Sequence, residues 1–260
     1  MPISQPRTLI ALATYNERDN LAPLIQEIRA TVPAADVLIL DDNSPDGTGA
    51  QADDLARRDA KIHVIHRSGK LGLGTAILTI MRFAIEHNYD LLQTMDADFS
   101  HHPRYLPDIL GGMDRADVMI GSRYVPGGGV ENWPLSRQMM SRSTGRLVRF
   151  LLGMPVRDTS GNYRCYRVDL LRRANLDHLL SNGYSFQQEV LHRCFLAGAT
   201  FAETPIIFAD RRVGTSKANL KEIVRSLSTL LRLGWHARFN KAAMMPQGGR
   251  NDARQTQRAA

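Results

Sequence analysis

The chain contains little cysteine: two residues, Cys165 and Cys194, among 260. They do not form a CxxC pair, and no Cys/His spacing typical of a zinc ligand set surrounds them. The sequence therefore predicts neither a disulfide framework nor a thiolate zinc site. Buried free thiols in a reducing cytosol are expected instead.

Long apolar runs are also missing. No segment approaches the roughly 20 uninterrupted apolar residues that a membrane-spanning helix needs. Residues 1–7 contain no basic region followed by an apolar run, so no signal peptide is expected. The hydrophobic fraction of 43% is ordinary for a globular protein, and 260 residues suffice for one large α/β domain or two small ones. We thus expect a cytoplasmic, globular chain.

The net charge of +7 is unevenly distributed. Acidic residues outnumber basic ones over residues 1–120, and a larger basic excess follows over residues 121–260. The first part is suited to holding cations, and the second to meeting the phosphates of a substrate, a membrane surface or a nucleic acid. Nucleic-acid binding is not expected, because neither a recognition helix nor an aromatic platform accompanies the basic residues.

Short apolar runs alternate with helical patterns through the first half of the chain. Strands are predicted over residues 8–13, 36–40, 61–65, 89–95 and 117–121. Helices are predicted between them over residues 20–31, 46–58, 73–87 and 104–113. This order is typical of a Rossmann-like α/β fold with a mostly parallel central sheet flanked by helices. Ligands of such sheets bind outside the carboxyl ends of the strands.

The pattern changes after residue 121. A loop rich in proline and glycine is predicted over residues 125–134, and an extended segment over residues 200–208. Further helices are predicted over residues 135–152, 186–197 and 220–239. We interpret residues 1–240 as a single domain, with a nucleotide and metal half at about 8–121 and an acceptor half at about 122–240. The polar, basic residues 241–260 are expected to form a disordered tail.

Two aspartates follow the strand predicted at residues 89–95. Side chains alternate along an extended chain, so Asp96 and Asp98 are expected to point the same way at the carboxyl end of this strand. Adjacent carboxylates repel each other unless a cation lies between them, and Mg²⁺ or Mn²⁺ prefers such oxygen ligands. The alternative is a pair of solvated turn residues, as in most Asp-x-Asp sequences. The position after an apolar strand favours a metal site that also takes nucleotide phosphates as ligands.

Three further polar clusters follow predicted strands. Thr14, Tyr15 and Glu17 come after the first strand, where they could meet a nucleotide base. Residues 41–48 come after the second strand, where a carboxylate suits the ribose hydroxyls. Lys70 lies in a glycine-rich loop before a helix, where it could meet a phosphate. A single cluster is weak evidence, but all four in this order predict a nucleotide-sugar site.

These motifs resemble those of glycosyltransferase family 2, and the similarity runs from about residue 8 to residue 235. The stretches that carry it are TYNERDNL (14–21), DDNSPDGT (41–48), KLGLGTA (70–76), MDADFSHHP (95–103), IGSRY (120–124), GGVENWPLSR (128–137), DTSGNYRCYR (158–167), GYSFQQE (183–189) and FADRRVGTSK (208–217). The resemblance implies an inverting glycosyltransferase with the GT-A fold, in the branch that attaches mannose to dolichyl or polyprenyl phosphate. Two departures from the family pattern are Ala13, where proline is frequent, and Ser100, where glutamine is frequent.

The resemblance also implies roles for individual residues. The residues expected to bind the donor, GDP-mannose, are Thr14, Tyr15, Glu17, Asp42, Asp46, Lys70, Asp96, Ala97 and Asp98. The residues expected to hold Mg²⁺ or Mn²⁺ are Asp98, Asp96 and, more weakly, Ser100. The acceptor phosphate is expected at Arg123, Arg137 and Ser141, with Glu189 orienting the arginines. The predicted catalytic residues are Asp96, Asp98, Arg211 and Lys217, of which the last two would fold over the diphosphate.

The chemistry of the acceptor adds two expectations. A phosphate monoester is already anionic at neutral pH, because its second pKa is about 6, so no general base is expected. A lipid acceptor requires access to a membrane, so we expect peripheral association with the cytosolic face of a membrane. The 125–133 loop and the 220–239 helix are the candidate contacts, although the apolar face of the helix is expected to pack on the domain rather than to insert into the membrane. A membrane-anchoring subunit, which relatives often have, is a further expected partner.

Two alternatives stay open at this point. The first is a polyprenyl-phosphate transferase that uses another donor, such as UDP-glucose or UDP-N-acetylglucosamine. The second is a non-catalytic protein that binds membrane surfaces on the same fold. The paired aspartates, Arg123, Arg211 and Lys217 favour an enzyme over this second alternative.

Overall fold

The structure, a computed structural model, describes residues 5–176, 179 and 185–209. The centre of this described part is a seven-stranded sheet. In chain order the strands are β1 (Thr8–Thr14), β2 (Asp36–Asp41), β3 (Ile62–His66), β4 (Leu91–Asp96), β5 (Val118–Ser122), β6 (Gly129–Val130), β7 (Arg164–Arg167), β8 (Phe201–Pro205) and β9 (Ile207–Phe208). The sheet has the strand order β3-β2-β1-β4-β7-β5-β8, and β6 pairs with β9 separately. Every pairing in the large sheet is parallel except those of β7, which runs antiparallel to β4 and β5.

Helices cover both faces of the sheet. They are α1 (Arg18–Thr31), α2 (Thr48–Arg58), α3 (Leu73–Glu86), α4 (Leu106–Gly111), α5 (Leu135–Leu152), α6 (Val168–Arg173) and α7 (Phe186–Leu196). One hydrophobic cluster packs α3, α5, α6 and α7 against the sheet, and a second packs α1, α2 and α4 against the other side. The central strands are therefore buried on both faces, which explains why β1 and β2 are almost continuously apolar.

The predicted α/β fold with a mostly parallel sheet and flanking helices is confirmed. The predicted helix over residues 104–113 is wrong in part, because only α4 is α-helical. Two 3₁₀ turns, Pro103–Tyr105 and Gly112–Asp114, flank α4. Proline at the start and glycine at the end disfavour a longer α-helix there.

The structure also contains elements that the sequence pattern did not predict. The antiparallel strand β7 and the short helix α6 come from the DTSGNYRCYR stretch and its continuation. The loop predicted at residues 125–134 contains the short strand β6. Because β7 lies between β4 and β5, residues from beyond position 122 form part of the same sheet as the first half.

Among the described residues, no helix is both long and apolar enough to cross a membrane. The helix predicted over residues 220–239 and the tail predicted over residues 241–260 lie outside the described residues. The division into a nucleotide half and an acceptor half stays a prediction.

Candidate active site

The carboxyl ends of the parallel strands meet at one edge of the sheet. Their register aligns Thr14 of β1 with Asp41 of β2, and Ala13 of β1 with Asp96 of β4. The backbone amide of Asp42 donates to the carbonyl of Thr14 at 3.0 Å, which joins the first two ends. The polar clusters that follow these strands in the sequence are thereby brought together at the edge where α/β sheets bind ligands.

Protein hydrogen bonds hold both carboxylates of the predicted metal pair. Asp98 is buried, and its Oδ1 accepts hydrogen bonds from the amide and the hydroxyl of Ser100, at 3.1 and 2.5 Å. The more exposed Asp96 accepts a hydrogen bond from Nδ2 of Asn162 at 3.0 Å. Because β4 ends at Asp96, strand alternation alone does not set the direction of Asp98. The shared direction of the two side chains stays a prediction.

A buried histidine lies beside both carboxylates. Nδ1 of His101 accepts a hydrogen bond from the amide of Asp96 at 3.0 Å, and its ring stacks on Tyr163 with centroids 4.9 Å apart. Burial lowers the pKa of His101 and outweighs the opposing attraction of Asp96 and Asp98. His101 is therefore neutral at physiological pH, and it is a hydrogen-bond acceptor at Nδ1 that fixes the end of β4.

The available donor atoms fit a hard divalent cation. Carboxylate oxygens are preferred by Mg²⁺ and Mn²⁺. Within the described residues no group of three or more His, Cys, Asp or Glu side chains could hold a metal ion, so the protein would supply the two carboxylates of Asp96 and Asp98. Two carboxylates leave most of an octahedral shell to phosphate and water oxygens, as is usual for Mg²⁺. Ser100 donates its hydroxyl to Asp98 and so orients it, while its predicted role as a ligand stays a prediction.

Asp42, the predicted ribose-binding residue, forms a buried ion pair with Arg67. Nε and Nη2 of Arg67 donate to its two oxygens at 2.5 and 2.7 Å. The two side chains are 8% and 9% exposed, so little water competes for these bonds. The pair fixes the carboxylate of Asp42 at the end of β2 and ties it to the loop that follows β3. Arg67 is a member of the site to which the sequence analysis gave no role.

Asp46 shapes the backbone at the start of α2. Its Oδ1 accepts hydrogen bonds from the amide and the hydroxyl of Thr48, at 3.0 and 2.6 Å. Its Oδ2 accepts a hydrogen bond from the amide of Arg18, at the start of α1, at 3.1 Å. Gly47, between Asp46 and Thr48, has a φ of +91°, outside the helical region, so α2 begins at Thr48 rather than at residue 46 as predicted. A contact of Asp46 with the donor stays a prediction.

Tyr15 and Lys70 come from different strand ends and contact each other. Nζ of Lys70 lies 4.1 Å from the centroid of the Tyr15 ring, within the range of a cation–π interaction. Gly72, two residues after Lys70, has a φ of +97°, which glycine adopts without strain. The glycine-rich loop is thus folded so that its lysine faces the end of β1.

Two further residues predicted to bind the nucleotide sugar, at and just after the end of β1, form hydrogen bonds within the protein. Thr14 donates its hydroxyl to the carbonyl of Leu40 or to Asp41, each at 3.2 Å. Oε2 of Glu17 accepts a hydrogen bond from Nδ2 of Asn20 at 2.9 Å. These contacts orient both side chains at the edge of the sheet, and their binding to a nucleotide stays a prediction.

On the acceptor side, Arg123 is held by a fully buried carboxylate. Its Nε and Nη2 donate to the two oxygens of Asp158, each at 2.8 Å, and Nη2 also donates to the hydroxyl of Ser160. Burial disfavours both charges, but the attraction between them dominates. It holds the pKa of Asp158 far below its usual range and raises that of Arg123. Asp158, rather than Glu189 as expected, therefore orients Arg123, and a contact of Glu189 with Arg137 stays a prediction.

The other predicted acceptor residues lie next to this pair. Cζ of Arg137 is 3.9 Å and Cζ of Arg123 is 5.6 Å from the centroid of the Trp133 ring. The hydroxyl groups of Tyr124 and Ser141 share a hydrogen bond of 2.5 Å. The structure thus brings Arg123, Arg137 and Ser141 together around two aromatic rings, and their binding of an acceptor phosphate stays a prediction.

Two side chains of the site come from the DTSGNYRCYR stretch, which supplied a family motif but no predicted contact. Asp158 pairs with Arg123, and Asn162 bonds to Asp96. The only signal in the sequence was the motif itself, because the contacts depend on the antiparallel insertion of β7. Glu189, in contrast, is buried in an ion pair with Arg193 at 3.4 Å on the same helix. Arg211 and Lys217 lie outside the described residues.

Comparisons with known proteins agree with this geometry. The model of the family described as "Glycosyl transferase family 2" matches residues 9–175. The undecaprenyl-phosphate mannosyltransferase of Micrococcus luteus is 42% identical over 233 residues, which cover 90% of this chain and 96% of the relative. The polyprenol monophosphomannose synthase of Mycolicibacterium smegmatis is 40% identical over 238 residues, which cover 91% and 90%.

Solved structures show the same fold at lower identity. Glucosyl-3-phosphoglycerate synthase from Mycobacterium tuberculosis, in complex with Mn²⁺, uridine diphosphate and phosphoglyceric acid, superposes with a TM-score of 0.63 at 18% identity. The match covers 89% of this chain and 79% of the other.

Proposed function

Because the chain belongs to glycosyltransferase family 2, we propose that it transfers mannose from GDP-mannose to a dolichyl or other polyprenyl phosphate. The product is a β-linked polyprenyl phosphate mannose, formed with inversion at the anomeric carbon. The two relatives at about 40% identity, both named for the mannosylation of a polyprenol or its phosphate, support this assignment over nearly the whole chain.

The observation that carries the proposal is the meeting of an anionic and a cationic site. Asp96 and Asp98 lie at the carboxyl end of β4, and Arg123 follows β5, which β7 separates from β4 in the sheet. Arg123 lies close enough to Asp96 for the carboxylate to contribute to its raised pKa. A donor diphosphate at the aspartates would therefore lie beside an acceptor phosphate at the arginines, which is the juxtaposition that the transfer requires.

The donor side holds the nucleotide and its diphosphate. Asp96 and Asp98 would hold Mg²⁺ or Mn²⁺, which supplies Lewis-acid stabilisation of the negative charge on the departing diphosphate. Asp42, fixed by Arg67, is positioned to accept hydrogen bonds from ribose hydroxyls. Tyr15 and Lys70 offer an aromatic face and a cation at the same edge.

The acceptor side orients an anion that needs no deprotonation. Asp158 occupies Nε and Nη2 of Arg123, while no hydrogen bond within the described residues uses its Nη1. That nitrogen and the guanidinium of Arg137 are suited to bind oxygens of the acceptor phosphate. The phosphate is itself the nucleophile, so these residues position and desolvate it, and no general base is required.

Incubation of the purified protein with Mn²⁺, a short polyprenyl phosphate and one nucleotide sugar tests the proposal. With GDP-mannose, mass spectrometry should detect the mannosylated lipid. Product from UDP-glucose or UDP-N-acetylglucosamine alone would instead identify a transferase with another donor. Asp98→Ala should lower the rate by roughly 100-fold or more, whereas Asp54→Ala, on the exposed face of α2, should not. Equal rates for wild type and Asp98→Ala, or undiminished turnover in excess chelator, would contradict the proposal.

We also propose that the protein binds peripherally to a membrane through α5. Its exposed apolar side chains include Phe150, Leu135 and Met139, which are 80%, 76% and 69% exposed. Their spacing places them on one side of the helix, and the exposed Arg142 and Arg146 lie on the same side, between Met139 and Phe150. An exposed helix face that combines apolar and basic side chains suits a bilayer with anionic headgroups.

The position of α5 agrees with this proposal. It begins directly after Trp133 and carries Arg137 and Ser141. At about 100° per residue these two residues lie on the other side of the helix from the exposed apolar side chains, so a lipid surface would be about one helix diameter, roughly 10 Å, from the acceptor pocket. The 125–133 loop, predicted as a membrane contact, lies at the same end of the helix. A membrane-anchoring subunit stays a prediction.

A further inference from the structure

Asn162 is placed opposite Asp96 by the register of the sheet. The antiparallel ladder between β4 and β7 pairs Gln93 with Cys165 and Thr94 with Arg164. Continued by two residues in the same register, it places Asp96 opposite Asn162, on the face of the sheet that carries Thr94 and Arg164. The hydroxyl of Thr94 donates to the carbonyl of Asn162 at 2.7 Å, which anchors Asn162 to the strand that carries Asp96. Contact between these two side chains is therefore built into the sheet.

A chain of buried hydrogen bonds continues from Asn162 into the core. Nδ2 of Asn162 donates to Asp96 at 3.0 Å, and its Oδ1 accepts from Nε2 of Gln187 at 2.6 Å. Oε1 of Gln187, on α7, accepts from Nη1 of Arg164 at 3.0 Å. Asn162 and Gln187 are about 5% exposed and Arg164 is completely buried, so solvent does not compete with these bonds.

Arg164 is an unusual buried charge. Its hydrogen-bond acceptors within the described residues are all neutral, namely Tyr166, Thr159 and Gln187. Burying a guanidinium without a carboxylate is costly, and hydrophobic residues of similar size commonly serve a core equally well or better. Filling the core therefore does not explain an arginine at this position.

Arg164 determines the donor-to-acceptor direction of every hydrogen bond between itself and Asp96. A guanidinium has only donors, so the amide of Gln187 must turn its oxygen toward Arg164 and its nitrogen toward Asn162. Asn162 must then turn its oxygen toward Gln187 and its nitrogen toward Asp96. If both amides were reversed, the nitrogen of Gln187 would face the donors of Arg164, and the oxygen of Asn162 would face the carboxylate of Asp96.

We propose that Asn162, Gln187 and Arg164 are positioning residues that fix the Asp96 carboxylate for binding of the divalent metal and donor diphosphate. The inference rests on the proposed function only for the identity of the ligand. Asn162 occupies Oδ1 of Asp96 and fixes the plane of the carboxylate, so Oδ2, which lies 3.6 Å from Nδ1 of His101, would be available to the metal without a conformational search. The buried guanidinium fixes the orientation of the Gln187 amide, which in turn fixes the orientation of the Asn162 amide next to Asp96.

Gln187→Glu separates this role from simple packing. The variant keeps an oxygen for Arg164 and gives that arginine an ion pair, so the fold should be retained. It removes the nitrogen that faces Asn162, whose amide must then reverse and present its oxygen to Asp96. We expect the affinity for Mn²⁺ in the presence of GDP, measured by electron paramagnetic resonance of free Mn²⁺, to fall on the order of 10-fold or more. The melting temperature should not fall, and binding of GDP in excess chelator should not change.

Three further variants separate the effect of the hydrogen-bond chain from effects of charge and stability. Gln26→Glu adds the same charge on the exposed face of α1 and should leave the Mn²⁺ affinity unchanged. Asn162→Ala removes the donor to Asp96 directly and should weaken Mn²⁺ binding to a similar extent, so it serves if Gln187→Glu fails to fold. Ile28→Val, a mild core substitution in α1, shows whether lost stability alone affects the metal affinity.

The outcomes distinguish this inference from the proposed function. Weakened Mn²⁺ binding in the variants supports the inference even if the wild-type protein transfers no mannose. Mn²⁺ affinities within twofold of wild type in a folded Gln187→Glu or Asn162→Ala protein would overturn it, even if mannose transfer is observed. Failure of the wild-type protein to bind Mn²⁺ with GDP would overturn it as well.

Discussion

Single buried carboxylates decide the geometry of this site. Asp158 shows this most clearly, because both of its oxygens are used to hold Arg123 and it is completely buried. An ion pair of this kind contributes little net stability relative to apolar residues, but loss of one partner leaves a buried charge without compensation. Asp158 is therefore required for the position of Arg123 and for the integrity of the domain.

Replacement of Asp158 should destabilise the protein strongly. We expect Asp158→Asn to lower the free energy of unfolding by about 3–5 kcal/mol, because it leaves the guanidinium of Arg123 buried and unpaired. Urea denaturation measures this change. Asp54→Asn removes an exposed pair with Arg57 and should cost less than about 1 kcal/mol. Equal effects of the two substitutions would show that Arg123 does not depend on Asp158.

The same pair predicts a pH dependence. The pKa of Asp158 is lower in the folded protein than in the unfolded chain, where a value of about 4 applies. Its contribution to stability is therefore complete above about pH 4 and is lost as the pH falls below that value, because the unfolded state then binds the extra proton. Denaturation between pH 5 and 3 should show a steeper loss of stability for wild type than for Asp158→Asn. Parallel pH profiles would contradict this assignment.

At the scale of elements, the sequence predicted α5 correctly and missed β7. The bounds of α5, Leu135–Leu152, agree with the helix predicted from the sequence, because its apolar residues follow a helical period. In β7, the buried residues include the charged Arg164, and no alternation of apolar and polar residues marks the strand. Sequence patterns assume that arginine is exposed, so they miss a strand in which it is buried.

The exposed face of α5 yields a prediction about membrane binding. The double substitution Met139→Ser and Phe150→Ser should weaken co-sedimentation with vesicles containing anionic lipid by about 10-fold or more, since two large apolar side chains lose their burial in the bilayer. Both side chains are exposed in the protein, so the melting temperature should stay unchanged.

Basic residues of two helices provide the matched comparison for α5. Arg142→Gln and Arg146→Gln should reduce vesicle binding mainly at low salt, because their attraction to headgroups is screened by ions. Arg57→Gln and Arg58→Gln on α2 change the net charge equally and should have little effect. Vesicle binding that is insensitive to every α5 substitution would exclude this helix as the membrane contact. A stable complex with a second copy or another protein through this face would do the same.

At the scale of the whole molecule, the sheet unites the two halves of the sequence. β7 and β8 lie beyond residue 122, yet β7 separates β4 from β5, and the segment that leads into β7 supplies Asp158 and Asn162. The predicted donor and acceptor sites therefore share one sheet, and ligand binding at its edge should stabilise the molecule as a unit.

Binding of the donor nucleotide should be visible as thermal stabilisation. GDP with Mn²⁺ at about 100 times the dissociation constant should contribute about 2.7 kcal/mol. For a domain of this size that corresponds to a rise of roughly 5–10 °C in Tm. UDP with Mn²⁺, or GDP in excess chelator, should raise Tm less. Equal or greater stabilisation by UDP would favour a UDP-sugar donor.

The sequence by itself determined which polar clusters follow the parallel strands, and it predicts the chemistry that they carry. Strand and helix periods are local, and they placed the clusters at residues 14–17, 41–48 and 96–98 after parallel strands. The order of these strands then requires their ends to meet at one edge of the sheet. The oxygen donors at Asp96 and Asp98 favour a divalent cation wherever that edge forms.

Only the tertiary structure decided which residues hold those side chains in place. Arg67 reaches Asp42, Asp158 reaches Arg123, and the chain from Arg164 reaches Asp96 across distances of 25 residues or more along the sequence. The first contact depends on the pairing of β2 with β3, and the other two depend on the pairing of β7 between β4 and β5. No local period encodes either pairing. A buried charge and its partner are recognisable only after folding brings them together, because burial is a property of the assembled core rather than of the neighbouring residues.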